Sequence, residues 1–160
     1  MKFAYADPPY IGQAKKLYKM PEVDHKELLE DLLPYDGWAL SCSSPSLQEL
    51  LPLCPDDVRV MAWVKPFAIF KPNVNPAYAW EPVIVRGGRK RGRDIPTVRD
   101  WVSVNITLKK GLVGAKPPDF CTWLFRVLNI QPGDEFVDVF PGTGIVSTTF
   151  DAWIKDYRPE

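Results

Sequence analysis

The sequence holds one histidine and three cysteines in 160 residues, and these shortages exclude much common chemistry. His25 has no second histidine to share a metal with or to build a histidine-based triad around, so no metal site is expected. Cys42, Cys54 and Cys121 are widely spaced, odd in number and form no C-x-x-C, a pattern expected of reduced thiols in a cytosolic setting. No apolar run reaches the length of a signal core or a membrane span, and Met1-Lys2 leads directly into a strand. The expectation is a cytoplasmic protein with no membrane partner. Excess charge is missing too: 20 basic residues balance 20 acidic ones, so contact with nucleic acid would need a local patch. What remains, 46% hydrophobic and 25% charged residues, is the composition of one globular domain spanning 1–160.

Strand and helix signals alternate along the chain. Phe3-Ala4-Tyr5-Ala6 reads as a buried strand, and the segment 11–23 as a loop, either a plain connector or one that closes over a substrate. Asp24 with Glu27 fits a helix start, and Leu28, Leu29, Leu32 and Leu33 form an apolar stripe ending at Pro34. Strands are expected at 37–42, 58–64 and 79–86, with a short helix opening at Ser46 and Glu49 between the first two. Pro82 weakens the start of the third, because proline donates nothing to a ladder. The segment 67–78, with Phe67, Phe70 and Tyr78, either packs as core under a loop or lines a base pocket. A fifth strand is expected at 99–108. A helix then opens at Lys116-Pro117-Pro118-Asp119 and ends at Pro132-Gly133, with Phe120, Trp123, Leu124, Val127 and Leu128 at helical spacing. A sixth strand at 134–140 runs into a glycine turn and a helix over 145–154. The pattern is α/β: a mixed sheet flanked by helices.

Two stretches carry chemistry. Asp7-Pro8-Pro9-Tyr10 follows the first strand, where open α/β sheets hold their ligands. The prolines stiffen the backbone and leave carbonyls as acceptors, so Asp7 and the Pro8 carbonyl suit the two hydrogens of an aromatic amine, and Tyr10 suits its ring. The same four residues also fit a plain turn. Far along the chain, Phe140-Pro141-Gly142-Thr143-Gly144 links a strand to a helix, which makes a nucleotide-sized pocket.

Together these motifs resemble the D-P-P-Y and F-x-G-x-G motifs of S-adenosylmethionine-dependent amino methyltransferases. Their order, catalytic motif first, is similar to the permuted beta group of DNA N6-adenine and N4-cytosine methyltransferases, and Asp at the first position leans toward adenine. Trp63-Val64-Lys65-Pro66 and Trp80-Glu81-Pro82-Val83 resemble strand ends in phage and bacterial members, some of them from restriction-modification systems. The resemblance implies a permuted, truncated Rossmann-like methyltransferase fold that transfers a methyl group to the N6 amine of adenine in DNA. It assigns Asp7, Pro8, Pro9 and Tyr10 to catalysis, by direct displacement on a base flipped from its stack. It assigns Ala6, Asp7, Lys116, Pro117, Asp138, Phe140, Pro141, Gly142, Thr143 and Gly144 to S-adenosylmethionine. Within that set Asp138 would take the ammonium group, and the glycines would allow positive φ.

Arg86, Arg89, Lys90, Arg91 and Arg93 concentrate charge on a glycine-containing loop, which suits either phosphate contacts or plain solvation. In the family a further strand usually follows the last helix, and its terminal acid holds the cofactor ribose. No such strand follows here, so the ribose is expected to rest on other residues or on a partner subunit, which, like a homodimer, would also serve target recognition. Two other readings stay open: methylation of another planar amine (cytosine N4, an RNA base, a glutamine side chain), and a non-catalytic methyltransferase-like subunit.

Overall fold

A computed structural model describes residues 1–14, 21–67, 71–107 and 115–158. The first strand, β1 (Lys2–Ala6), is buried on both faces from Phe3 onward, as a near-continuous apolar run requires. Helix α1 (His25–Leu32) follows, with the Asp24 carboxylate accepting from the Lys26 and Glu27 amides at 2.9 and 3.1 Å. That cap satisfies two of the helix's orphan donors, and Leu28, Leu29 and Leu32 face the sheet. Next come β2 (Gly37–Ser41), the short α2 (Leu47–Leu50) between two 3-10 turns, β3 (Arg59–Val64), β4 (Trp80–Gly87) and β5 (Trp101–Ser103). Helix α3 (Pro118–Leu128), β6 (Glu135–Asp138) and α4 (Ile145–Lys155) complete the order.

The six strands make one mixed sheet in the order β5-β3-β4-β2-β1-β6. β1 runs parallel to both β2 and β6, and only β4 runs against its neighbours. Side chains on β1 alternate between two cores. Phe3 and Tyr5 join the cluster built with Phe120, Leu124 and Phe125 of α3, while Ala4 and Ala6 join Leu28, Leu29 and Leu32 of α1. A layered α/β sheet with helices on both faces is therefore the architecture, as the alternating pattern anticipates.

Several boundaries differ from the sequence reading for physical reasons. Ser46 stands at the N-cap position of α2, where the short helix is expected to open, but it also ends a 3-10 turn, and its hydroxyl makes no cap bond because it pairs with that of Ser43 at 2.7 Å. The expected fifth strand shrinks to three residues because β5 lies on the sheet edge and pairs only as far as Val64–Ser103, where β3 ends. Residue 108 of that expectation lies outside the described residues. Helix α3 ends at Leu128 rather than at Pro132-Gly133, because Asn129 adopts φ 55° and turns the chain left-handed. Pro82 does sit within a central strand, yet its carbonyl accepts from Cys42 at 3.1 Å, beyond the last β2–β4 pair at Ser41–Val83. Nitrogen and carbonyl of one strand residue face the same neighbour, so its missing N–H falls where the ladder has already stopped.

At the opposite end of the sheet from Asp7, Asp134 ties three segments together. It accepts from the Met1 amino group at 2.8 Å and from Arg89 Nη2 at 2.6 and 2.8 Å, and its side chain is 4% exposed. Burial raises its proton affinity, but the bonds from Arg89, the chain amine and Gln131 outweigh that and hold its carboxyl below the usual range. Replacing Asp134→Ala should cost about 2 kcal/mol, the scale of lost charge-assisted hydrogen bonds, measured by urea unfolding. Because the folded value is depressed, this contribution is complete above the unfolded carboxylate value of about 3.9 and fades as pH falls through the lower folded one. The variant should lack that part of the acid dependence.

Candidate active site

Parallel pairing of β1 with β6 carries Tyr5 opposite Asp138, and the Val139 amide still donates to the Tyr5 carbonyl at 2.9 Å. Continuing that register, Asp7 and Phe140 leave the sheet beside each other, about 4.8 Å apart as adjacent strands are. The Asp-Pro-Pro-Tyr segment and the glycine turn, 130 residues apart in sequence, thus share one end of the sheet. Connection β1–α1 packs on one face and β6–α4 on the other, so a crevice opens between them, as at the switch points of open sheets.

Asp7 does not stand alone. Lys116, just ahead of α3, places Nζ 2.9 Å from Asp7 Oδ1 and 2.9 Å from Glu81 Oε1. Glu81, second residue of β4, receives Lys65 Nζ on its other oxygen at 2.7 Å, and its charge acts on the nearby Tyr10 hydroxyl. The Lys116 and Glu81 side chains are 5% and 7% exposed. Trp63 lies beneath both cations, with its ring 4.6 Å from Lys65 Nζ and 5.5 Å from Lys116 Nζ, and its indole N–H is fixed on the Val104 carbonyl at 2.8 Å. A π face thereby replaces part of the hydration lost on burial.

The environments split the two carboxylates. At Glu81, burial favours the neutral acid, but Lys116 and Lys65 overcome it and bring the carboxyl down to about 2. At Asp7, burial raises the proton affinity, Lys116 lowers it, Glu81 raises it again, and the net displacement is upward. Lys116 is pushed down by burial and more strongly up by its two carboxylates, so it remains an ammonium. Tyr10 is raised by burial and by the nearby anions, so it remains a phenol that donates. Ser41 and Tyr5 complete the floor, with their hydroxyls 2.8 Å apart.

On the β6 side, Asp138 Oδ2 receives Ser147 Oγ at 3.5 Å, whereas its buried Oδ1 has no partner. Among the described residues it is the only buried side-chain acceptor left open. Gly142 and Gly144 both adopt positive φ, 46° and 74°, and Gly144 opens α4. A Cβ on Gly144 would meet nothing within 4 Å, and one on Gly142 only the Phe140 carbonyl at 3.8 Å. The turn therefore presents bare backbone to open space.

Residues assigned from the motifs fall into three groups. Asp7, Pro8, Pro9, Tyr10, Lys116 and Pro117 gather in the buried network, and Asp138 with residues 140–144 lines the adjoining turn. Ala6 ends β1 fully buried against the α1 core, so its side chain is unavailable to a ligand. The basic loop lies at the far end of the sheet, since Gly87 pairs with Gly37 and Gly37 with Phe3. Arg86 is held by Asp57 at 2.7 Å and Arg89 by Asp134, and Arg91 bonds the Arg126 and Pro96 carbonyls, while Lys90 and Arg93 are exposed. Asn129 pins the same loop through the Arg89 and Lys90 carbonyls. The tip of the expected closing loop, 15–20, lies outside the described residues; its base is tied by Gly12 to Glu22 at 3.2 Å. Phe67, Tyr78 and Trp80 are exposed, the last two on a cleft of about 500 Å³ with Asn73 and Asn75, and residues 68–70 lie outside the described set.

Removing the central cation exposes the energetics. Lys116→Met should destabilise the protein by about 3–5 kcal/mol, the cost of stripping one partner from a buried ionic group, measured by chemical denaturation at neutral pH. Glu81 makes a second prediction through its depressed value: its stabilisation is whole above the unfolded carboxylate value of about 4.3 and is lost as pH falls toward about 2. Glu81→Gln should lack that loss.

No family model matches the chain, and no curated protein does. Solved structures do. The crystal structure of M1.HpyAVI in complex with SAM superposes with a TM-score of 0.58 at 14% identity, over 94% of this chain and 78% of that one. A second M1.HpyAVI crystal structure gives 0.57 and 14%, over 94% and 75%. The chain has the α/β Rossmann-like methyltransferase fold of those structures.

Proposed function

We propose that the chain is an S-adenosylmethionine-dependent methyltransferase acting on the N6 amine of adenine in DNA, built as a single domain of the permuted D-P-P-Y type. The carrying observation is Asp7: one carboxylate oxygen is engaged by Lys116, in a crevice shared with a bare glycine turn and an open carboxylate oxygen on Asp138. Likeness of fold to M1.HpyAVI, crystallised in complex with SAM, supports the reading.

The donor set fits the cofactor. Asp138 Oδ1 would take the ammonium group, and the backbone of Pro141, Gly142, Thr143 and Gly144 would lie along the adjoining chain. When bound, the cofactor supplies a methyl group already activated by sulfonium. The protein's part is to prepare the amine. Its lone pair is delocalised into the ring and becomes nucleophilic only when acceptors draw its hydrogens out of plane. Asp7 and the Pro8 carbonyl are those acceptors, with the open oxygen of Asp7 meeting one N–H. Pro8 and Pro9 hold both in place without donors of their own. The raised proton affinity of Asp7 also suits it to receive the proton that the methylated amine sheds. A duplex adenine must leave its stack to reach this depth.

Lys90 and Arg93 belong to the loop that leaves the sheet at the end opposite Asp7. They are therefore proposed to contact phosphates away from the target nucleotide.

Incubating the protein with unmethylated DNA and labelled S-adenosylmethionine should yield N6-methyladenine on nucleoside analysis. N4-methylcytosine would redirect the substrate, and no transfer together with no cofactor binding by calorimetry would contradict the enzyme reading. Asp7→Ala should lower the rate at least about 100-fold with cofactor affinity kept. In Gly142→Val, a β-branched residue at φ 46° with its side chain in the crevice should abolish cofactor binding; unchanged affinity would move the site. Neutralising Lys90 and Arg93 should flatten the salt slope of DNA binding by about 2, and an unchanged slope would remove them from the interface.

A further inference from the structure

From Asp7 inward four charged side chains alternate in sign, Asp7, Lys116, Glu81 and Lys65; the middle two are 5% and 7% exposed, and the outer two reach solvent at 22% and 18%. The chain is asymmetric. Glu81 has both oxygens bonded to cations, whereas Asp7 is bonded through Oδ1 to one cation.

We propose that Glu81 is the positioning residue of the amine-accepting carboxylate: by holding Lys116 from behind, it keeps Asp7 gripped at one oxygen and open at the other. The inference rests on the amine-acceptor reading of Asp7.

An ammonium has three donors and a carboxylate two oxygens. With no anion behind it, Lys116 would settle between both oxygens of Asp7, and the carboxylate would be spent on its ion pair. Glu81 at 2.9 Å on the far side divides that charge, and Lys65 at 2.7 Å keeps Glu81 from turning away. β4 carries Glu81 into the site, because Val64–Trp80 is the last pair of the β3–β4 ladder and Glu81 stands opposite Trp63, whose ring supports both ammoniums.

The groups that face Asp7 act in opposing directions. Lys116 and Lys65 favour its anion, while Glu81 and enclosure favour its acid. Asp138, across on β6, and Tyr5, beneath on β1, are each electrostatically coupled to it. Tyr10 is kept neutral by burial and by the charges of Glu81 and Asp7. One carboxylate is thus a permanent anion, and the other retains affinity for a proton, the division of labour that separates a fixed electrostatic group from an acceptor.

The test follows the Asp7 carboxylate directly, by carbon-13 NMR of the full chain labelled at aspartate carboxyls, without DNA or cofactor. Its resonance is the one missing from Asp7→Asn. Glu81→Gln removes the anion and keeps the shape, so the Asp7 midpoint should move to lower pH. Lys65→Met leaves Glu81 to pull Lys116 away and removes a second cation, so the midpoint should move to higher pH. In methyl transfer, Glu81→Gln should lose about 100-fold in kcat through misplacement of the acceptor, with cofactor affinity within about twofold and the acid limb displaced in the same sense as the NMR midpoint. An unmoved Asp7 titration in Glu81→Gln, or movement in the same direction in both variants, overturns the proposal. If Glu81→Gln does not fold, Lys65→Met decides alone: an unmoved or lowered midpoint overturns it. Failure of the underlying reading would look different, with both midpoints moving as stated in a protein that methylates no base.

Discussion

A buried ammonium with two carboxylates within 3 Å is the constraint on which the site depends. Lys116 reaches Asp7 across 109 residues of sequence and Glu81 across 35, so it fixes the end of β1, the start of β4 and the approach to α3 against one another. Taking a cation out of water is expensive, and the expense is offset only when charge and hydrogen bonds are supplied in full. Two carboxylates and the Trp63 ring supply them here. The arrangement leaves one acceptor on Asp7 uncommitted, and that surplus is the chemical resource of the crevice.

The sheet order explains why the two motifs can cooperate. Placing β1 between β2 and β6 brings a strand from each end of the chain into one parallel set, with their carboxyl ends together. Helices that leave on opposite faces part above this point. A stiff proline pair lies on one side of the gap and a glycine turn with positive φ on the other. One side fixes acceptors, and the other removes side chains so that a ligand can approach the backbone.

Local chemistry was legible in the sequence and long-range chemistry was not. The Asp24 cap and the leucine stripe of α1 depend on neighbours three and four residues away, and both appear as read except for Leu33, which caps the helix end and is exposed. The strand-to-turn transition at Ala6 is similarly local, whereas the last strand ends at Asp138, short of the Phe140 that its apolar pattern suggests. For Glu81, Lys65 and Trp63 the sequence offers only a likeness to family strand ends and no role, because that role depends on a pairing register between β3 and β4 and on a lysine that arrives from elsewhere. A further hint is the acid between Trp80 and Pro82 in an otherwise apolar run. Arg86 and Arg89 looked like free charge because the carboxylates of Asp57 and Asp134 that hold them are distant in sequence. The end of α3 was misread because Asn129 turns left-handed four residues before the glycine that appeared to stop it.

The central claim is that the crevice between β1 and β6 holds the amine and the cofactor at once, with Asp7 serving one and the glycine turn the other. The most direct measurement is calorimetry with a bisubstrate analogue in which the N6 nitrogen of adenosine is joined by a short carbon linker to the cofactor's amino-acid and adenosine portions. The account predicts binding tighter than either half alone, weakened both by Asp7→Ala and by Gly142→Val. Binding no tighter than the cofactor half, or sensitive to only one of the two substitutions, would contradict it.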